Sequence, residues 1–141
     1  MVLDRLTGHK ATACCFIEED RDGDRVAEYG VLCTADYVQH DPSMPLESVG
    51  LDEARETYRE LVAAFRLRHS VEGMLAERDL VSARFRVRGR HVGEYQGNAP
   101  TGRSFETTGQ VTLRFREGKI AEAWFHWDLR GALEQLGGTL G

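Results

Sequence analysis

Between residues 79 and 128 apolar and polar side chains change places at almost every step. Val81, Ala83, Phe85 and Val87 alternate with Arg84, Arg86, Arg88 and Arg90. A period of two is the signature of a strand with one buried face, because successive side chains leave a strand on opposite sides. The same alternation sets Val111, Leu113 and Phe115 against Gln110, Thr112 and Arg114, and then Ala123, Phe125 and Trp127 against Trp124, His126 and Asp128. Four strands are predicted, at about 70–76, 79–92, 104–116 and 119–128. They are joined at Arg78-Asp79, by a loop from Gln96 to Gly102, and by a Glu117-Gly118 turn. Connections this short give an antiparallel meander.

The first half carries helical spacing instead. Segment 10–20 reads as a helix, the RDGD stretch at 21–24 as a turn, and Arg25 to Ala35 as a second helix. Tyr37 to Pro45 is expected to be irregular, since Pro42 and Pro45 each deny the preceding residue the helical region. The strongest helix is Leu51 to Arg66: Leu51, Ala54, Tyr58, Leu61, Val62 and Phe65 recur at three- and four-residue steps, and Asp52 and Glu53 suit its N-terminal dipole. A short closing helix at 129–136 ends at Gly137-Gly138. Helices laid on one face of a curved antiparallel sheet make an α+β fold, and 141 residues suit a single domain spanning residues 1–141.

Composition removes several classes of function. No apolar run approaches the roughly 18 residues needed to span a bilayer, and the first ten residues are polar where a signal peptide would be apolar, so no membrane partner and a cytoplasmic location are expected. A net charge of −5 repels polyphosphate and argues against nucleic acid. Cys14, Cys15 and Cys33 have no C-x-x-C spacing and read as reduced thiols. The run from Glu18 to Asp24 lacks the glutamate an EF-hand requires, and His9, His69 and His91 have no paired ligand spacing, so no metal is expected. There is no G-x-G-x-x-G, P-loop or G-x-S-x-G, which leaves nucleotide cofactors and serine hydrolysis without support.

One face of the meander is apolar, whereas the other mixes Trp124 with Gln110, Arg84, His126 and Asp128, as a polar-lined pocket would. Together with this mixture, YVQHDP at 37–42, APTGRSFE at 99–106, RFREGKIAEAW at 114–124 and the D-x-x-G-A-L-E-Q-L-G run from Asp128 resemble the SnoaL-like polyketide cyclase family, also called ester cyclase-like, of the NTF2-like superfamily. The resemblance covers roughly residues 10–138. It implies an NTF2-like cone of curved antiparallel sheet closed by N-terminal helices around a cavity for a hydrophobic small molecule, and a homodimer. Well-studied members close a ring of a polyketide by intramolecular aldol chemistry without metal or cofactor, using a carboxylate on the last strand. Relatives hydrolyse epoxides, assist hydroxylations or isomerise steroids.

Carried over residue by residue, the family's carboxylate position two residues beyond the tryptophan is filled by His126, with Asp128 two residues further on. The family's Gln and His positions on the neighbouring strand fall on Gln110 and Thr112. His126 is then the first candidate for proton transfer, or else a structural histidine. Asp128 is a second acid/base or the group that orients His126, and equally an N-cap for the closing helix. His40 either lines the cavity mouth or braces a turn. Arg84 suits an oxyanion or belongs to a solvated arginine row. Trp124, Tyr37, Phe65 and Met74 are ligand walls or ordinary core.

Two functions stay open: a cofactor-independent enzyme that cyclises or moves a proton on a polyketide-like molecule, and a non-catalytic small-molecule-binding protein of the same fold, with an epoxide hydrolase- or hydroxylase-like relative as a further variant. The first places Arg84, Gln110 and His126 in the cavity. By alternation Phe85, Val87, Val111, Leu113, Phe125 and Trp127 must then point outward, forming an apolar patch that a second copy would cover. The inverted assignment turns those residues toward the helices and takes His126 out of the pocket.

Overall fold

In the computed structural model, residues 2–18 and 29–137 are described. Helix α1 (Val2–Glu18) is followed by helical residues 29–32, strands β1 (Cys33–His40) and β2 (Ser48–Gly50), helix α2 (Leu51–Phe65), strands β3 (Arg68–Glu77), β4 (Leu80–Arg90), β5 (Ser104–Arg116) and β6 (Lys119–Trp127), and helix α3 (Leu129–Gln135). The six strands form one sheet in the order β2-β1-β6-β5-β4-β3. It is curled and unclosed. Register breaks between Val71 and Gly73 in β3 and between Arg114 and Phe115 in β5 add local twist of the kind that bends a sheet. Among the described residues no helix is long and apolar enough to cross a membrane.

The meander β3–β6 matches the sequence pattern, and so do α2 and α3. Three readings change. The first helix begins at Val2, well before residue 10. The RDGD turn and the start of the second predicted helix lie outside the described residues. Cys33 to Ala35, expected at the end of that helix, begin β1 instead, which runs parallel to β6 and antiparallel to β2. Tyr37 to His40, expected to be irregular, are strand as well, because Pro42 restrains only the residue next to it and leaves everything before Asp41 free to pair.

The orientation of the sheet is the inverted one. Val81, Ala83, Phe85, Val87, Val111, Leu113, Ala123 and Phe125 are buried, and their neighbours on the opposite face are half-exposed or exposed. Against the buried face lie Ala13, Phe16 and Ile17 of α1 and Ala54, Tyr58, Leu61, Ala64 and Phe65 of α2. The helices have apolar stripes of their own to hide, and only the apolar side of the sheet can hide them. The reverse arrangement would push a row of arginines under the helices, at a cost no nearby carboxylates would offset. The face expected to receive a second copy is thus the chain's own core.

On the open face the arginine row finds carboxylates in water. Arg86 bridges Glu72 and Glu106, Arg88 reaches Glu106 at 3.3 Å, and Arg114 reaches Glu122 at 3.2 Å.

Candidate functional site

The end of β1 is where polar groups enter the covered side. Alternation along the strand sends Tyr37, Gln39 and then Asp41 inward and His40 outward. The Tyr37 and Tyr29 hydroxyls donate to Gln39 Oε1 at 2.7 and 3.3 Å. Its carbonyl oxygen is so occupied, and Gln39 lines the pocket. Asp41 is buried. Its Oδ1 accepts from the Ser43 backbone N–H at 3.0 Å and from the Ser43 hydroxyl, an Asx turn favoured by the extended conformation before Pro42. Its Oδ2 accepts from Trp127 Nε1 at 3.0 Å, which ties the end of β1 to the end of β6.

These groups border a narrow chamber of about 50 Å³, walled by Tyr29, Tyr58, Leu67, His69, Phe85, Phe125 and Trp127. Gln39, Asp41, Met44, Thr57 and Leu61 also line an outer vestibule of about 480 Å³, so the two spaces form one funnel. Gly109 makes the chamber floor possible: a Cβ there would lie 2.7 Å from the Phe85 ring and 2.8 Å from Trp127 Cβ. Glu47, Glu60 and Glu94 line the vestibule, and none of its described lining residues is basic. Tyr95, at its edge, has its phenol pKa raised by burial and by the charges of Asp41 and Glu60, which keeps the hydroxyl protonated. Among the described residues no group of three or more His, Cys, Asp and Glu side chains is placed to hold a metal ion.

The residues singled out from the sequence are scattered around this funnel, and none of them forms part of its lining. His126 and Gln110 face each other across β6 and β5 on the open face, both exposed. Thr112 and Trp124 pair beside them, half-exposed. Arg84 is 63% exposed, its Nε 3.7 Å from Glu72. His40 sits on the open face too, where Nε2 meets Glu122 at 2.7 Å, Nδ1 meets Ser48 Oγ at 2.8 Å, and the ring stacks on Trp124. Asp128 caps α3, accepting from the Gly131 N–H at 2.8 Å. Tyr37 is buried behind Gln39, Phe65 closes the end of α2, and Met74 packs at the core margin outside the lining. One cause moves the whole open-face set: once the apolar face goes to the helices, alternation carries every residue between its members to solvent.

The polar lining residues that the sequence reading does not assign to the pocket are Gln39, Asp41, Thr57 and His69. A signal for the first two was present in YVQHD itself, where Tyr37, Gln39 and Asp41 fall two apart and His40 falls between them. Reading the prolines as ending the strand early hid that alternation. Trp127, expected on the outward apolar patch, lines the chamber instead.

A curled, unclosed and mostly antiparallel sheet covered by helices on one face, as seen here, is the NTF2-like fold. A profile of the SnoaL-like polyketide cyclase family matches residues 11–136, and the chain belongs to that family. Over 65 residues it is 43% identical to the aklanonic acid methyl ester cyclase AcmA of Streptomyces galilaeus, a match spanning 46% of this chain and 45% of that protein. Among solved structures, IdmH of Streptomyces antibioticus, a proposed polyketide cyclase, superposes with a TM-score of 0.80 at 29% identity, covering 92% of this chain and 98% of that one. AclR of Streptomyces galilaeus, a proposed hydroxylase, gives 0.81 at 25% identity, covering 94% and 97%.

Proposed function

We propose that this chain is a small-molecule cyclase in which Asp41 is the general base. The observation that carries this reading is a buried carboxylate at the junction of chamber and vestibule, oriented by Trp127 and Ser43, beside the donor groups of Gln39. In an intramolecular aldol closure Asp41 takes a proton from the carbon next to a carbonyl, and the resulting enolate attacks a second carbonyl of the same molecule. The alkoxide formed then recovers the proton from Asp41. The Gln39 N–H groups are positioned to receive the enolate oxygen as its charge develops. Nothing in this sequence of steps calls for a cofactor.

The acidic vestibule sets the charge of the substrate. Glu47, Glu60 and Glu94 oppose an anion and admit a neutral molecule. An ester passes where the free acid is held back, in keeping with the methyl ester in the name of the Streptomyces galilaeus cyclase. The vestibule, at about 480 Å³, lies in the usual range for small-molecule sites, whereas the inner chamber receives only a side group.

The test is incubation with aromatic polyketide methyl esters and their free acids, with mass-spectrometric detection of ring closure. Wild type should convert esters in preference to acids. Asp41→Asn keeps an acceptor for Trp127 and should lower kcat roughly a hundred- to ten-thousand-fold while still binding. An unchanged kcat removes Asp41 from the chemistry. A binding-protein reading has one observation in its favour, that both Asp41 oxygens already accept hydrogen bonds. Tight binding of the esters by wild type with no turnover across the panel would establish it.

A further inference from the structure

A second cavity, of about 210 Å³, lies between α3 and the 91–103 segment that joins β4 to β5. That segment is clamped at its base, because His91 N–H donates to Arg103 O at 2.9 Å and Gly102 N–H donates to His91 O at 2.8 Å. Phe65, Tyr95, Leu133 and Leu136 supply its apolar surface, and His91, Asn98 and Thr101 line it beside them. Tyr95 also lines the vestibule, so the two spaces adjoin at this residue.

His91 is the unusual member of the lining. Its side chain is only 3% exposed and its ring packs against Phe65 at 5.1 Å. Nδ1 accepts from the Thr101 backbone N–H at 3.3 Å, which fixes the tautomer and puts the ring proton on Nε2. Nε2 is buried and has no partner among the described residues. A buried donor left unpaired is costly, and in most proteins such a group is matched.

We propose that this cavity is a binding site for a single six-membered ring carrying a carbonyl-type oxygen, the ring held between Phe65, Tyr95 and the α3 leucines and the oxygen accepting from His91 Nε2–H. Volume and chemistry agree. An apolar cavity of about 150 Å³ is enough to take up benzene, so a substituted ring fits in the larger space here. A buried donor with no partner of its own selects an acceptor and discriminates against the same ring without one. The site does not rest on the reading of the Asp41 pocket.

Acetophenone and toluene are suitable probes, being similar in size and differing in the oxygen. In ¹⁵N-resolved NMR of the full chain, acetophenone should shift the His91 ring nitrogens and the Thr101 amide and bind about tenfold more tightly than toluene. His91→Phe keeps an aromatic ring against Phe65 and should bring the two affinities together, whereas Asp41→Asn should leave both unchanged. Equal affinities in wild type would overturn the proposal, as would shifts confined to the Trp127 indole. Because the comparison of probes is made on wild type, it decides the matter even if the His91 variant does not fold.

Discussion

At the scale of single residues, placement decides whether a reactive side chain is a candidate at all. His126 carries the imidazole suited to proton transfer, but it lies exposed on the open face, opposite Gln110. His126→Ala is therefore expected to leave turnover unchanged and to alter unfolding free energy by no more than about 0.5 kcal/mol, measured by steady-state assay and urea denaturation. His9 offers the contrast. It is carried by α1, buried and stacked on Phe115 at 4.2 Å, and burial, then the charge of Arg5, lowers its pKa below the usual 6.5. A histidine whose folded pKa is depressed must be protonated at a cost to the folded state. Its contribution is complete above pH 6.5 and is lost as the pH falls through the lower, folded value. Wild type should lose thermal stability as the pH falls below 6.5, and His9→Phe, which preserves the stack, should lose less over the same interval.

Single elements hold their shape through details of close approach. Gly109 in β5 pairs with Trp127 and lies under the Phe85 ring, so the strand can support the chamber only while that position has no side chain. Gly109→Ala should cost about 1–3 kcal/mol, because a packed ring must leave its position, and should weaken ester binding at the same time. A stability loss with unaltered binding would mean that the floor is dispensable. How far the elements were legible depended on this same distinction between pattern and approach. Helix α2 and strands β3–β6 declare themselves through spacing alone, since Ala54, Tyr58 and Leu61 or Val111, Leu113 and Phe115 need no knowledge of their neighbours. Strand β1 does not, because its pairing with β6 joins segments far apart in sequence and its local signal is interrupted by Pro42.

For the molecule as a whole, the decisive fact is which side of the sheet the helices cover. Alternation divides the residues of β4, β5 and β6 into two sets without saying which set faces inward, so a single choice moved His126, Gln110, Arg84, Thr112 and Trp124 together. Burial energy decides between the two sets, because Arg84, Arg86, Arg88 and Arg90 are far harder to bury than Phe85, Val87 and Phe125. The expected consequence is that Phe125→Glu, in the middle of the core, destabilises the chain by about 4 kcal/mol or more. Circular dichroism should show loss of the folded state. A folded variant that merely sediments as a smaller species would restore the outward placement.

The bond between Asp41 and Trp127 spans 86 positions of the chain. During synthesis, at roughly 5 to 20 residues per second, Asp41 is made roughly 4 to 17 s before the indole that orients it. Over that interval β1 has β2 beside it and its other edge open, since β6, the strand it pairs with there, does not yet exist. A nascent chain halted before Lys119 can fold its helices and much of its meander, yet it holds an unpaired strand edge and an unanchored carboxylate. The funnel is thus among the last features of this protein to come into being on the ribosome.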